Sequence, residues 1–209
     1  MHIIGHRGYW LDGPEKNSIK AFERALENGF GIETDLRDLG GELVISHDIP
    51  VAGAISSEQF INLYLANPIE APIALNVKSD GLHVLVEKFI EQANFKNAFV
   101  FDMTVPDMRE YLRRKVPTYT RLSEFERHPV LLNECSGVWL DCFESEWYEA
   151  EIFAALLSQN KSICIVSPEL HRRPYLPLWN LIKCNNLHHN KLVTICTDFP
   201  MQAKEFFND

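Results

Sequence analysis

Short apolar runs alternate with longer stretches whose apolar residues recur at helical spacing, from one end of the chain to the other. The runs predict strands over residues 2–5, 31–36, 43–46, 73–77, 98–101, 118–119, 138–140, 162–166 and 193–196. Between them the pattern predicts helices over 17–28, 57–65, 82–94, 105–114, 123–127, 146–159, 177–185 and 201–207. The first helix is the clearest: Ala21, Phe22, Ala25 and Leu26 share one face, Asn17 or Ser18 can cap its start, and Gly29 follows its end. Alternation of this kind predicts parallel βαβ units rather than a sandwich. The strand over 43–46 follows its neighbour across the turn "DLGGE" and reads as a hairpin; setting it aside leaves eight βα units. The expected fold class is therefore α/β, a (β/α)8 TIM barrel forming a single domain over residues 1–209. That length lies near the lower limit of about 200 residues for such barrels, and an open doubly wound sheet is the alternative.

Charge and composition narrow the function classes. With 20 Lys and Arg against 29 Asp and Glu, the formal net charge is -9. Nucleic acid is not an expected partner, because its phosphates need a basic face. The opening "MHIIGHRG" lacks the basic start and the apolar core of a secretory leader. No apolar run approaches the roughly 18 residues of a membrane span. A soluble, cytoplasmic protein without stable membrane association is expected. Cys135, Cys142, Cys164, Cys184 and Cys196 include no C-x-x-C pair, so neither a zinc knuckle nor a disulfide framework is indicated, and they read as small core residues.

In such a barrel the residues just past each strand build the site. Here they read "GHRG", "IETD", "SHD", "LNVKSD", "FVFDM", "WLDCFES", "VSPELHRR" and "CTDFP". Glu33 and Asp35 lie two apart on a strand and so share a face. Two such carboxylates repel unless a cation lies between them, which suits a hard divalent ion, Mg²⁺ or Ca²⁺. The alternative is the solvated face of an edge strand. His6 and His47 close strands on either side of that pair, and imidazoles titrating near neutrality suit them as base and acid about a scissile bond. Arg7 and Lys78 offer positive charge to an anionic substrate. Asp102, Asp141, Glu144 and Glu169 follow later strands, and each reads equally well as a helix cap or ion-pair partner. In "PELHRR", Glu169, His171 and Arg172 are candidates for ligand contact, because phosphate sites in barrels use loops there. Trp139 and Phe143 read as packing.

Taken together, "HRG", "PEKNSIKAFERALENGF", "IETDLR" and "ELVISHD", with "LNVK" and "CTDFP" later, resemble the glycerophosphodiester phosphodiesterase family of the phosphatidylinositol phospholipase C-like superfamily. The resemblance is dense over residues 3–48, thin between 79 and 190, and returns over 193–200. It implies a divalent ion on Glu33 and Asp35, catalytic roles for His6 and His47, and phosphate contacts from Arg7 and Lys78. The implied substrate is a small phosphodiester, glycerol 3-phosphate esterified to an alcohol. Two departures stand out. Where the family carries Glu-x-Lys on the third strand, this chain reads Asn76-Val77-Lys78, so the third metal ligand is a neutral amide, with Asp80 the nearest carboxylate to compensate. The entry loop reads "PEKNS" in place of Pro-Glu-Asn-Thr, which leaves the geometry at Glu15 open. A barrel that binds phosphodiesters without turning them over, and a phospholipase-type enzyme acting on a lipid head group, remain as alternatives.

Overall fold

Eight parallel strands close on themselves in the computed structural model, in which residues 1–208 are described. In chain order the strands are β1 (His2–His6), β2 (Gly31–Leu39), β3 (Glu42–Ile45), β4 (Ile55–Ser56), β5 (Ile73–Val77), β6 (Ala98–Phe101), β7 (Tyr119–Leu122), β8 (Gly137–Leu140), β9 (Ser162–Val166) and β10 (Val193–Thr197). The helices are α1 (Ile19–Glu27), α2 (Ser57–Ala66), α3 (His83–Ala93), α4 (Val105–Arg113), α5 (Ala150–Ser158), α6 (Leu176–Cys184) and α7 (Pro200–Phe207). The ring runs β1, β2, β5, β6, β7, β8, β9, β10 and back to β1, every neighbour parallel. Between β6 and β7 the closure is a single bridge, Val100 to Thr118. The open-sheet alternative is thereby excluded. β3 and β4 form the antiparallel extension that the turn "DLGGE" announces, paired to the outer half of β2.

Strand alternation sorts the side chains. Ile32 and Leu36 of β2 face outward and pack on Phe22, Ala25 and Leu26 of α1. The inward set, Ile4, Ala74, Phe99, Phe101, Trp139, Cys164, Val166 and Cys196, fills the barrel interior. Phe99 stacks on Tyr119 at 3.7 Å and Phe101 on Trp139 at 3.8 Å, so the lower barrel is packed core and Trp139 is packing as expected. Among the described residues all five cysteines are free, and only Cys184 is exposed. No helix of the described residues is long and apolar enough to cross a membrane.

Three expected elements differ. The helix over 123–127 does not form: the Ser123 hydroxyl accepts the backbone N–H groups of Phe125 and Glu126 and ties the segment into a turn. Pro129 also biases His128 away from helical geometry. β7 runs on to Leu122 rather than ending at 119, because Thr120 is buried and Arg121 turns into the barrel mouth, polar residues that hide a strand from pattern reading. The helix expected over 146–159 begins only at Ala150. Its first residues are held against the mouth instead, Trp147 Nε1 donating to the Asp141 carbonyl and Glu146 pairing with Arg173.

Candidate active site

The near wall of the mouth is built on β1, β2, β5 and β10. Parity places His6, Glu33, Asp35, Asn76 and Asp198 inward, at or just beyond the strand ends. Glu33 and Asp35 are only 2% and 1% exposed, so the solvated edge-strand reading of the pair is excluded. Asp35 is opposite Asn76 in the β2–β5 register. After His6 the chain turns sharply: Arg7 is in the left-handed region at φ 59, followed by Gly8 at φ 88. A Cβ on Gly8 would come within 2.9 Å of the Ala21 backbone, so only glycine permits this exit. The turn aims both ends of Arg7 at the carboxylates, its backbone N–H donating to Glu33 Oε2 at 3.1 Å and its Nε lying 3.1 Å from Asp35 Oδ2.

Asp35 is the hub. Lys78 Nζ lies 3.2 Å from Oδ1, and Asn17 Nδ2 donates to Oδ2 at 2.8 Å. Ser18, not Asn17, caps α1, accepting from the Ala21 N–H. Asn17 is thereby free to bridge Asp35 and the Thr34 hydroxyl. His6 Nδ1 lies 2.7 Å from Asp198 Oδ1, and its Nε2 faces Glu33 Oε2 at 4.0 Å. A carboxylate accepts only, so Asp198 holds the N–H on Nδ1 and leaves Nε2 as the nitrogen that exchanges a proton. Lys16 Nζ, over the Trp10 ring at 4.4 Å, adds a cation 3.4 Å from Asp198 Oδ2.

Burial and charge set the titrations. Burial, reinforced by Asp35 and only partly offset by Arg7 and Lys78, pushes the Glu33 carboxyl up to about 8. Burial also lowers the His6 imidazole, against the upward pull of its Asp198 partner. Asp198 is raised by burial but lowered more by the hydrogen bond and charge of His6 and by Lys16, and its net shift is downward.

The far wall is built on β6 to β9. Asp102, itself at φ 70 just past β6, pairs with Arg121 Nη1 at 3.0 Å, and Arg121 Nε contacts Glu126. Asp141, buried just past β8, accepts the Cys142 N–H at 2.8 Å and lies 2.7 Å from His171 Nε2. The Phe143 ring packs obliquely on His171 with centroids 4.8 Å apart, and the Arg121 guanidinium lies 6.0 Å from the centre of the Phe143 ring.

The structure thus gathers His6, Arg7, Glu33, Asp35, Asn76 and Lys78 in one cluster. His47 stands apart: its ring is 43% exposed and meets only the neighbouring Asp48, although the adjacent Ser46 N–H bonds the Asp35 carbonyl. Glu169 accepts the Thr197 hydroxyl and, at 3.1 Å, the Asp198 N–H. Glu15 is bound to Lys20, Arg24 and the Leu11 N–H, which braces the entry loop. Arg172 closes the short turn Pro168–His171 at φ 61, and it is Arg173 that reaches back to the Cys142 carbonyl. Asp80 accepts the Thr104 hydroxyl and does not turn back toward Asn76. Sequence reasoning missed Asp198, Asn17 and Arg121. The only local signal was Asp198 in "CTDFP", a carboxylate directly past a strand.

Among the described residues no three His, Cys, Asp or Glu side chains meet as a metal cluster. The donors here are two carboxylates and an amide. Asp35 Oδ1 and Asn76 Oδ1 are buried without an aligned hydrogen-bond donor, and the Lys78 contact to Asp35 is a charge pair without directed bonding. Open, buried oxygens on adjacent strands fit a hard divalent ion held by Glu33, Asp35 and Asn76. Arg7 and Lys78 already balance the two carboxylates and would compete with it.

No protein-family model matches the sequence, and no curated protein matches it. Solved structures do. A Galdieria sulphuraria protein described as a glycerophosphodiester phosphodiesterase aligns with a TM-score of 0.75 at 18% identity, covering 100% of this chain and 98% of its own. The glycerophosphodiester phosphodiesterase of Agrobacterium tumefaciens aligns at 0.72 with 15% identity, covering 100% of both chains. An Oleispira antarctica phosphodiesterase, solved with the product sn-glycerol-3-phosphate, aligns at 0.71 with 12% identity, covering 100% of this chain and 97% of its own. At these identities the likeness is one of fold, and it confirms the barrel over the whole length of the chain.

Proposed function

We propose that the protein is a phosphoric diester hydrolase acting on a glycerophosphodiester or a similarly small diester, with His6 as a proton-transfer group. The observation that carries this reading is the meeting of the His6–Asp198 dyad with Glu33, Asp35, Asn76, Arg7 and Lys78 at one barrel mouth. Phosphoryl transfer needs positive charge around the phosphate and a group to carry the proton of the attacking oxygen. Arg7, Lys78 and Lys16 supply the first; His6 Nε2, oriented by Asp198, supplies the second. A divalent ion on Glu33, Asp35 and Asn76 would neutralise phosphate charge and orient the attacking oxygen. The barrel shared with glycerophosphodiester phosphodiesterases supports this reading, as does the bound glycerol phosphate of the Oleispira protein.

A second proton-transfer group must serve the leaving alcohol. His47 and His171 both belong to segments that follow strand ends at the mouth. The proposal is tested by assaying release of glycerol 3-phosphate from a panel of glycerophosphodiesters, with and without Mg²⁺, Ca²⁺ and Mn²⁺. Metal-stimulated turnover that His6→Ala lowers by about 10² to 10⁴ is the expected result. Saturable diester binding without turnover under any metal would establish the binding barrel instead.

A further inference from the structure

We propose that the end of the barrel opposite the mouth binds the phosphate group of a small phosphate monoester, at a site separate from the catalytic cluster. A cavity of 340 Å³ opens there, at the N-terminal ends of the strands. His2, Lys96 and Lys191 line it, and no carboxylate does. In a chain with 29 Asp and Glu against 20 Lys and Arg, that lining runs against the charge of the molecule as a whole.

Strand alternation builds the site. Ile4, Cys164 and Cys196 fill the barrel interior. His2, Ser162 and Thr194 each lie two residues earlier on the same strands, so they also point inward, one layer lower. His2 and Thr194 are partners in the β1–β10 register. Gly31 and Gly137, two residues before Glu33 and Trp139, add no side chain to this layer. Interior layers of such barrels are ordinarily filled by bulky branched residues. Here the lowest layer is polar and open, with the stacked Phe99 and Tyr119 rings lining it on the interior side.

The polar groups of this layer lack partners. Thr194 is only 6% exposed, and among the described residues its hydroxyl, the His2 ring and Lys191 Nζ engage no hydrogen-bond or ion-pair partner. A buried hydroxyl left unpaired is costly, which favours an acceptor in the cavity. Burial lowers the His2 imidazole, as does the positive charge of Lys191. An anion between the two relieves that repulsion. Lys96 pairs with Glu70, which leaves Lys191 as the uncommitted cation. Two lysines, an imidazole and a hydroxyl outnumber the oxygens of a carboxylate and suit the three oxygens and double charge of a phosphate monoester. The volume falls at the lower end of the roughly 300–1,000 Å³ of small-molecule sites, and Ile90 and Phe95 offer apolar contact to the organic part. Glycerol 3-phosphate, the monoester that the proposed hydrolysis releases, belongs to this class, but the site does not depend on that reading.

Titration calorimetry with inorganic phosphate and with glycerol 3-phosphate provides the test. Lys78→Met weakens anion binding at the mouth, so the titrations are run on that variant alone and with Lys191→Glu, Thr194→Val or Lys88→Glu added, each verified as folded by its melting temperature. Lys88→Glu makes the same change of charge at an exposed position of α3. Lys78→Met should retain one binding event for both probes. Lys191→Glu should weaken it about tenfold or more and Thr194→Val about tenfold, while Lys88→Glu should change it less than about twofold. Loss of all binding in Lys78→Met alone, or equal effects of Lys191→Glu and Lys88→Glu, would overturn the proposal. Acetate binding as tightly as phosphate would overturn the ligand class. If Thr194→Val does not fold, the exposed Lys191 still decides the outcome. Absence of diester turnover in the wild type removes the phosphodiesterase reading and leaves these titrations unaffected.

Discussion

The two walls of the mouth reach similar chemistry by different routes. On the near wall, one carboxylate does most of the organising: Asp35 contacts Arg7, Lys78 and Asn17 from three different segments. On the far wall the polar groups come in separate pairs, Asp102 with Arg121 and Asp141 with His171, joined only through the Phe143 ring. A hub of buried charges is sensitive to loss of its centre, whereas separate, partly solvated pairs fail one at a time. The hub also concentrates positive charge where a phosphate would sit, while the pairs suit recognition of whatever the phosphate is attached to.

The largest expected break in this contrast is kinetic. His6→Ala should lower kcat by about 10² to 10⁴ with little change in the unfolding midpoint, because the ring bonds Asp198 but anchors no core. If the variant unfolds at the wild-type midpoint and keeps full turnover, the near wall does not hold the reacting proton. Next comes stability. Asp35→Ala strands two partly buried cations and should cost about 3 kcal/mol in denaturant unfolding. Arg121→Ala, at a half-exposed pair, should cost no more than about 1 kcal/mol. Equal costs would mean that Asp35 is no hub.

Metal affinity should respond more modestly. Asn76→Glu restores a third carboxylate beside Glu33 and Asp35, and should tighten Mg²⁺ or Ca²⁺ binding about tenfold by titration calorimetry, roughly 1.4 kcal/mol. A wild type that already binds below micromolar concentrations, unchanged by the substitution, would place the third ligand elsewhere. A further expected effect is a pH dependence. With the folded carboxyl of Glu33 at about 8, above its ordinary value of 4.5, the stability it contributes is full below about pH 4.5 and is lost as pH rises through 8. Glu33→Gln does not titrate, so with chelator present its melting temperature should gain on the wild type between pH 5 and 8.5. A difference that stays flat over that range would show that Arg7 and Lys78 keep Glu33 ionised throughout.

Much of the near wall was readable residue by residue. Glu33 and Asp35 on one face of a strand, His6 at the end of another, and Lys78 two beyond Asn76 follow from alternation and from where an apolar run stops. Asn17 shows the limit of such reading: as a residue type it is a good helix cap, and nothing local says that Ser18 takes that role while Asn17 turns to Asp35. Arg121 was hidden for a related reason. Polar residues facing the barrel mouth cut the apolar run short, so the strand that positions it was read as two residues long.

By itself, then, the sequence determined the βα alternation, the closed-barrel class and, on the near wall, His6, Arg7, Glu33, Asp35, Asn76 and Lys78, because side-chain parity and hydrophobic period are local properties of the chain. Tertiary structure alone decided the pairings. Asp198 lies 192 residues from His6, and Asp141 lies 30 from His171. Which strand ends become neighbours depends on how the ring closes and in what register, a condition met jointly by all eight strands and encoded in none of them. The same closure buried Glu33 and left His47 at the rim, so two residues that looked alike as strand-end polar groups came to stand in opposite environments.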